Sequence, residues 1–114
     1  MNAYVARQGD IIWLNFDPQA GHEQKGRRPA VVLSNMEANR LLHTRAIVCP
    51  ISNTNKRIPI QPVLDDRTHV QGVVLCDQVR IVDLIARKAE YAERIPEDIL
   101  FEIIDIVYGL IEVV

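Results

Sequence analysis

No apolar stretch in this 114-residue chain approaches the roughly 20 residues that a membrane-spanning helix needs, so no membrane partner is expected. The opening residues Met1–Arg7 carry no apolar core of the kind a secretory signal has, and the cytoplasm is the expected compartment. Neither sign of charge dominates. A net charge of −2 argues against a protein that coats nucleic acid with its whole surface, though not against a local basic patch. Cysteine is scarce as well: Cys49 and Cys76 each sit in a β-branched apolar run, without a CxxC pair. The three histidines His22, His43 and His69 show no metal-ligand spacing relative to them, so two buried, reduced, structural thiols are expected and no metal or other cofactor. Internal repeats, low-complexity segments and linkers are also missing, and the length fits one domain over residues 1–114 with a real hydrophobic core.

What is present is a series of short β-branched runs, at Ile11–Phe16, Ala30–Leu33, Ala46–Ile51, Ile58–Leu64, Val73–Cys76 and Val79–Val82. Turn-forming groups such as Asp17-Pro18, Ser52–Asn55 and Asp65-Asp66 separate them, which predicts an antiparallel sheet or small barrel. The gaps are too short for the crossover helices of parallel units. Pro59 and Pro62 place their run at an edge or bulge, because neither can donate a ladder hydrogen bond. Asn35 is a plausible cap for a short helix through Leu42. A longer C-terminal helix starts at Pro96, with Glu97 and Asp98 facing the positive end of its dipole. Ile99, Leu100, Ile103, Ile104, Val107, Leu110 and Ile111 give it one apolar stripe, and Ile106 with Tyr108 widens that surface toward a second contact, such as another subunit. Strands first and a helix last predict a mainly β, α+β domain.

The chemistry concentrates between the first two apolar runs. The loop there holds His22, Glu23, Lys25, Arg27 and Arg28, which puts proton-transfer groups beside phosphate-binding groups. Metal-free RNA cleavage needs that mixture: a base for the 2′-hydroxyl, charge stabilisation for the phosphorane, and an acid for the departing 5′-oxygen. Arginine suits the second task because its planar fork matches phosphate oxygens. Other basic pairs occur at Lys56-Arg57 and Arg87-Lys88, and solvated turn residues would look the same.

The run Gly9-Asp10-Ile11, then Asp17-Pro18, Gly21-His22-Glu23-Gln24, Gly26, Arg28-Pro29 and Val31–Ser34, resembles the toxin ribonucleases of the MazF/PemK/Kid type. The likeness continues through Pro50-Ile51-Ser52, Gly72–Arg80, Asp83 and Ala86-Arg87, and so spans nearly the whole chain. It implies an SH3-like antiparallel barrel with a C-terminal helix, the fold shared by CcdB and MazF/PemK toxins. It also implies a sequence-specific endoribonuclease that leaves a 2′,3′-cyclic phosphate and a 5′-hydroxyl. A homodimer and a cognate antitoxin whose flexible acidic C-terminal segment covers the site belong to the same implication.

The resemblance places the family's active-site arginine at Arg28 and its strand-end hydroxyl at Ser52, where serine replaces the commoner threonine. A structural ion pair of Arg28 with Glu23 or Asp77, and a plain turn serine, are the alternatives. His22, Glu23 and Asp77 are the candidate acids and bases. In the Kid-type branch an arginine stands two residues before that aspartate; Leu75 stands there here, so such a pair is excluded. Gln19, Gln24, Lys25, Arg27, Asn53, Asn55, Lys56, Arg57, Gln78 and Arg80 flank these groups as candidate contacts to single-stranded RNA. Trp13 and Phe16 alternate with apolar strand residues and are expected in the core. Two rivals stand: a CcdB-like gyrase poison, which needs no such loop, and a homologue that binds RNA or antitoxin without cutting.

Overall fold

The computed structural model describes residues 4–16, 26–54 and 58–114. Among these residues six strands form one antiparallel sheet: β1 (Asp10–Asn15), β2 (Arg27–Val32), β3 (Arg45–Ser52), β4 (Val73–Val74), β5 (Arg80–Asp83) and β6 (Glu90–Arg94). Two helices accompany them, α1 (Met36–Leu41) and α2 (Glu97–Ile111). Strand β1 lies between β6 and β2, and β2 lies between β1 and β3. The far edge of β3 is divided: Arg45–Val48 pair with β5, and Ile51-Ser52 pair with β4. A 3-10 turn, Cys76–Gln78, joins those two short strands. Among the described residues no ladder links β6 to β4 or β5, so the expected barrel is an open sheet.

Alternation along the strands sorts the apolar side chains onto two faces. Ile11, Val31, Leu33, Cys49 and Ile51 pack against Ile99, Leu100 and Ile103 of α2. Ile12, Leu14, Phe16, Ala30, Val32, Val48 and Val82 form the second cluster on the opposite face. Buried Asp10 is fully engaged at the start of β1. It accepts hydrogen bonds from the Tyr4 hydroxyl (2.5 Å), the Arg7 backbone N–H (3.1 Å) and Arg94 (2.9 Å).

Helix α1 is capped as expected, the Asn35 side chain accepting from the Ala38 N–H at 2.9 Å. Helix α2 begins just after Pro96, and its first three buried residues are those of the expected stripe. The last turn departs from that pattern: Leu110 and Ile111 are exposed, as are Phe101 and Tyr108, while Ile106 packs partly on the core. None of the described helices is long and apolar enough to cross a membrane.

Two expected strands change. Residues Ile58–Leu64 form no strand; a turn closes from Gln61 N–H to Ile58 C=O, and Val63 makes one isolated bridge to Val73. Pro59 and Pro62 withhold the donors a ladder would need. The run Val73–Cys76 is cut short because Cys76 already belongs to the 3-10 turn. The excursion from β3 to β4 is instead pinned by side chains. Arg67 bridges Asp65 and Asp98 at 2.8 and 2.7 Å, and Glu93 of β6 accepts the backbone N–H groups of His69 and Val70 at 3.0 and 2.8 Å.

Candidate functional site

Arg28 stands near the start of β2, paired across the sheet with Leu14, and Pro29 behind it is buried against Trp13 in the adjoining register. Sheet pairing on one side and proline's fixed φ leave this backbone little freedom. Ser52 closes β3. The β2/β3 ladder pairs Val32 with Val48, Val31 with Cys49 and Ala30 with Pro50. The last pair of that ladder is Ala30 with Pro50, and Arg28 and Ser52 each lie two residues beyond it, at the same end of the β2/β3 pair. A planar cation and a hydroxyl are thereby carried by neighbouring, rigid strand ends.

Ser52 is also a turn residue, as the plain alternative has it: its Oγ accepts the Thr54 backbone N–H at 3.1 Å. This contact orients the hydroxyl and occupies a lone pair, leaving the O–H proton for donation outward. Behind it lies a positioning residue that the family pattern contains but to which the sequence assigned no role. Gly72 has φ +129°, and a Cβ built there would come within 2.3 Å of the Ser52 carbonyl oxygen and 2.9 Å of its carbon. Only glycine lets the β4 approach support Ser52 this closely.

Asp77 is exposed in the middle of the 3-10 turn on the same edge of β3, which is tied down by Leu75 N–H donating to Pro50 C=O at 2.8 Å. Arg80 follows at the head of β5 with its guanidinium carbon 5.9 Å from the centroid of the Phe16 ring. Phe16 itself is buried, as expected, and its N–H donates to Gly26 C=O at 2.8 Å, so Arg80 sits beside the entry to β2. Gln78 is half-buried next to it. Arg80 pairs with Val48 and Leu75 bonds to Pro50, so the 3-10 turn and Arg80 lie along the edge of β3 that faces away from β2.

Arg27 has a different setting. Its guanidinium donates to Asn15 Oδ1 at 3.2 Å, to Lys88 C=O at 3.0 Å and to Glu90 at 2.6 Å, binding β2 to β6 across β1. Gln19, His22, Glu23, Gln24, Lys25, Asn55, Lys56 and Arg57 lie outside the described residues. The two cysteines are free, buried and in contact; the hydrogen bond with Cys76 and burial together push the Cys49 thiol upward, which suits packing and not reactivity.

Next to Arg28 and Asn53 opens a cleft of about 480 Å³, whose lining includes Trp13, Pro29, His69 and Gln71. Trp13 departs from its expected core position and is 38% exposed. A second cavity, of about 280 Å³, lies between Tyr4–Ala6, α1 and Leu84-Ile85; it is mainly apolar and remote from the strand ends that carry Arg28 and Ser52.

Residues 7–108 match the family described as PemK-like, MazF-like toxin of type II toxin-antitoxin system. The chain is 41% identical over 90 residues to the endoribonuclease toxin MazF of Escherichia coli K12, covering 78% of each protein. It superposes on the crystal structure of MazF from Deinococcus radiodurans with a TM-score of 0.88 and 41% identity, over 95% of this chain and 97% of that one. A MazE–MazF complex from the same organism gives a TM-score of 0.82 at 41% identity, over 95% and 96% of the two chains.

Proposed function

We infer, from the premise that this chain belongs to the PemK-like, MazF-like toxins of type II toxin–antitoxin systems, that it is a sequence-specific endoribonuclease acting on single-stranded mRNA. The observation that carries this reading is that Arg28 and Ser52 lie at the same end of the β2/β3 pair, each two residues past its last paired residues. The 2′-oxygen of the scissile nucleotide attacks the neighbouring phosphorus, forming a 2′,3′-cyclic phosphate and releasing the 5′-oxygen. Arg28 grips two phosphate oxygens and offsets the charge that builds on the phosphorane. Ser52, its oxygen already accepting from Thr54, donates its proton to a phosphate oxygen and fixes the attack geometry. The 2′-hydroxyl proton passes to a base and the 5′-oxygen takes one from an acid, both drawn from His22, Glu23 and Asp77. Arg80 and Gln78 hold flanking nucleotides. No step calls for a metal ion.

The protein acts as a homodimer, an expectation supported by the uncovered apolar end of α2, where Phe101, Tyr108, Leu110 and Ile111 face outward. Its activity is restrained by a cognate antitoxin with an acidic, flexible C-terminal segment. The fit to the Deinococcus MazE–MazF complex supports such a partner. As an mRNA-cutting toxin it works in the cytoplasm and inhibits translation and growth.

The test is incubation of the purified protein with a mixed-sequence RNA in EDTA, with the cut sites and the fragment ends mapped. Cutting at a short recurrent sequence, with new ends that a kinase labels without prior phosphatase treatment, is expected. A strict magnesium requirement would contradict the chemistry. Intact RNA together with inhibited supercoiling by gyrase would transfer the protein to the CcdB-like class, and RNA binding without cutting would make it a non-cleaving homologue.

A further inference from the structure

We propose that the cleft floored by Trp13 is a stacking site for one base of the RNA, that of a nucleotide adjoining the scissile phosphate; the inference rests on the ribonuclease reading above. Trp13 sits in the middle of β1 between Ile12 and Leu14, both wholly buried, yet its own side is left open. The reason is its register. Trp13 pairs with Pro29 on one side and Glu90 on the other, on the α2-facing side of the sheet. The apolar cover of that side, from Ile99, Leu100 and Ile103, falls on Ile11, Val31 and Ile51 and does not include Trp13. An indole held between two strands is a rigid, flat apolar surface, which is what a nucleobase stacks on irrespective of sequence.

The surroundings suit a base more than a phosphate. Arg27 at the cleft is neutralised by Glu90, and Glu93 spends both carboxylate oxygens on the His69 and Val70 N–H groups. What remains around the indole is edge-reading chemistry. The Gln71 amide nitrogen is committed to the carbonyls of Asp65 and Thr68 at 2.8 and 2.7 Å, which leaves its carbonyl oxygen as an acceptor. The exposed His69 is held in place by its backbone bond to Glu93. The volume, about 480 Å³, lies within the range of roughly 300–1,000 Å³ typical of small-ligand sites. Continuity with the reacting centre decides which nucleotide enters. Arg28 belongs to both regions, and Asn53 directly follows Ser52 while lining the cleft. Alternation turns the Arg28 side chain, paired with Leu14, to the face opposite Trp13, so the cleft meets Arg28 and Ser52 at the strand ends, and a base next to the phosphate held there passes round those ends to reach Trp13.

Trp13 is the only tryptophan in the chain, so its emission reports on the site without labelling. The experiment titrates the full-length protein with the mapped RNA target carrying a 2′-deoxy substitution at the scissile nucleotide, which removes the nucleophile. Binding is followed in parallel by anisotropy of a dye on the RNA. Quenching of Trp13 emission that tracks the anisotropy is expected, and removal of one base beside the cut should abolish the quench and weaken binding by about 5- to 150-fold. In cleavage assays Trp13→Ala should raise KM by a similar factor while Trp13→Phe, which keeps an aromatic face, stays near wild type. RNA bound and cut with Trp13 emission unmoved, or unaltered KM in Trp13→Ala, would overturn the inference and leave the ribonuclease reading intact. Quenching by the antitoxin's acidic segment but not by RNA would assign the surface to the protein partner and also overturn it. If RNA is neither bound nor cut, the two readings fall together. A Trp13→Ala protein that fails to fold leaves the base-removal titration on the wild type to decide.

Discussion

Replacing Gly72 by alanine perturbs one contact whose size follows directly from the geometry. The new methyl would stand 2.3 Å from the Ser52 carbonyl oxygen and 2.9 Å from its carbon, and both are backbone atoms that cannot rotate away. The φ of +129° adds strain for any side chain, about 1–3 kcal/mol, and forced displacement of the β4 approach adds about 1–3 kcal/mol more. The expected loss of stability is thus about 2–6 kcal/mol, or about 8–24 °C in Tm for a domain of this size. Gly26 supplies the control: its φ is also positive, at +75°, but among the described residues a Cβ added there would meet nothing within 4 Å, so Gly26→Ala should cost only about 1–2 kcal/mol. The assays are thermal unfolding and RNA cleavage at a temperature where both variants are folded. Because the clash falls on Ser52 itself, the folded Gly72→Ala protein should cut RNA at least about 10-fold more slowly than wild type, since small misplacements of a positioning group are costly. A Gly72→Ala protein no less stable than Gly26→Ala, with wild-type cleavage, would refute the argument that glycine is required behind Ser52.

Asp10→Ala should lower stability in urea by about 2–4 kcal/mol, because it strands the Tyr4 hydroxyl and Arg94 without their buried acceptor; cleavage by the folded fraction should be unchanged, and a loss under 1 kcal/mol would contradict the burial argument. Hydrogen bonds from Arg67 hold the Asp65 and Asp98 carboxyls below the usual range. Their contribution is therefore complete above the unfolded value of about 3.9 and fades as the pH falls through the lowered folded values. The stability gap between wild type and Arg67→Ala should hold from pH 8 to 5 and close on further acidification, so a gap that persists at pH 2 would break the linkage. Neither Cys49 nor Cys76 should react with a disulfide reagent in the native protein, and both should react promptly once it is unfolded; rapid native labelling would contradict their burial.

The parts of the fold written in apolar periodicity were legible. Strand β1, the α2 stripe and the Asn35 cap follow from patterns that burial and hydrogen bonding impose locally. Strand β6 was not, because among the described residues Glu90-Tyr91-Ala92-Glu93-Arg94 pairs only with β1, and its charged side chains serve Arg27, Asp10 and the His69-Val70 backbone instead of a core. Residues Ile58–Leu64 misled in the opposite direction: their apolar side chains look strand-like, but two prolines remove the donors. At the site, Arg28, Ser52 and Asp77 were named from the family pattern, and the strand register supplies what that pattern lacks, their placement on adjoining elements. Trp13 was misassigned because alternation tells which face a residue occupies but not where the covering helix stops. His69 and Gln71 sit in an excursion whose course depends on long-range contacts to Glu93 and Asp98, and no local sequence signal marks them, while Gly72 belongs to the family pattern but its place against Ser52 follows only from the fold.

The convergence of Arg28 and Ser52 on one phosphodiester is tested most directly by a double-mutant cycle on single-turnover RNA cleavage with Arg28→Ala, Ser52→Ala and the pair. Groups acting on the same transition state are strongly coupled. Each single change should slow cleavage by about 10- to 1,000-fold, with the loss in the double mutant well below the product of the two single losses. Independent losses that simply multiply, or an Arg28→Ala enzyme that cuts at the wild-type rate, would contradict the account.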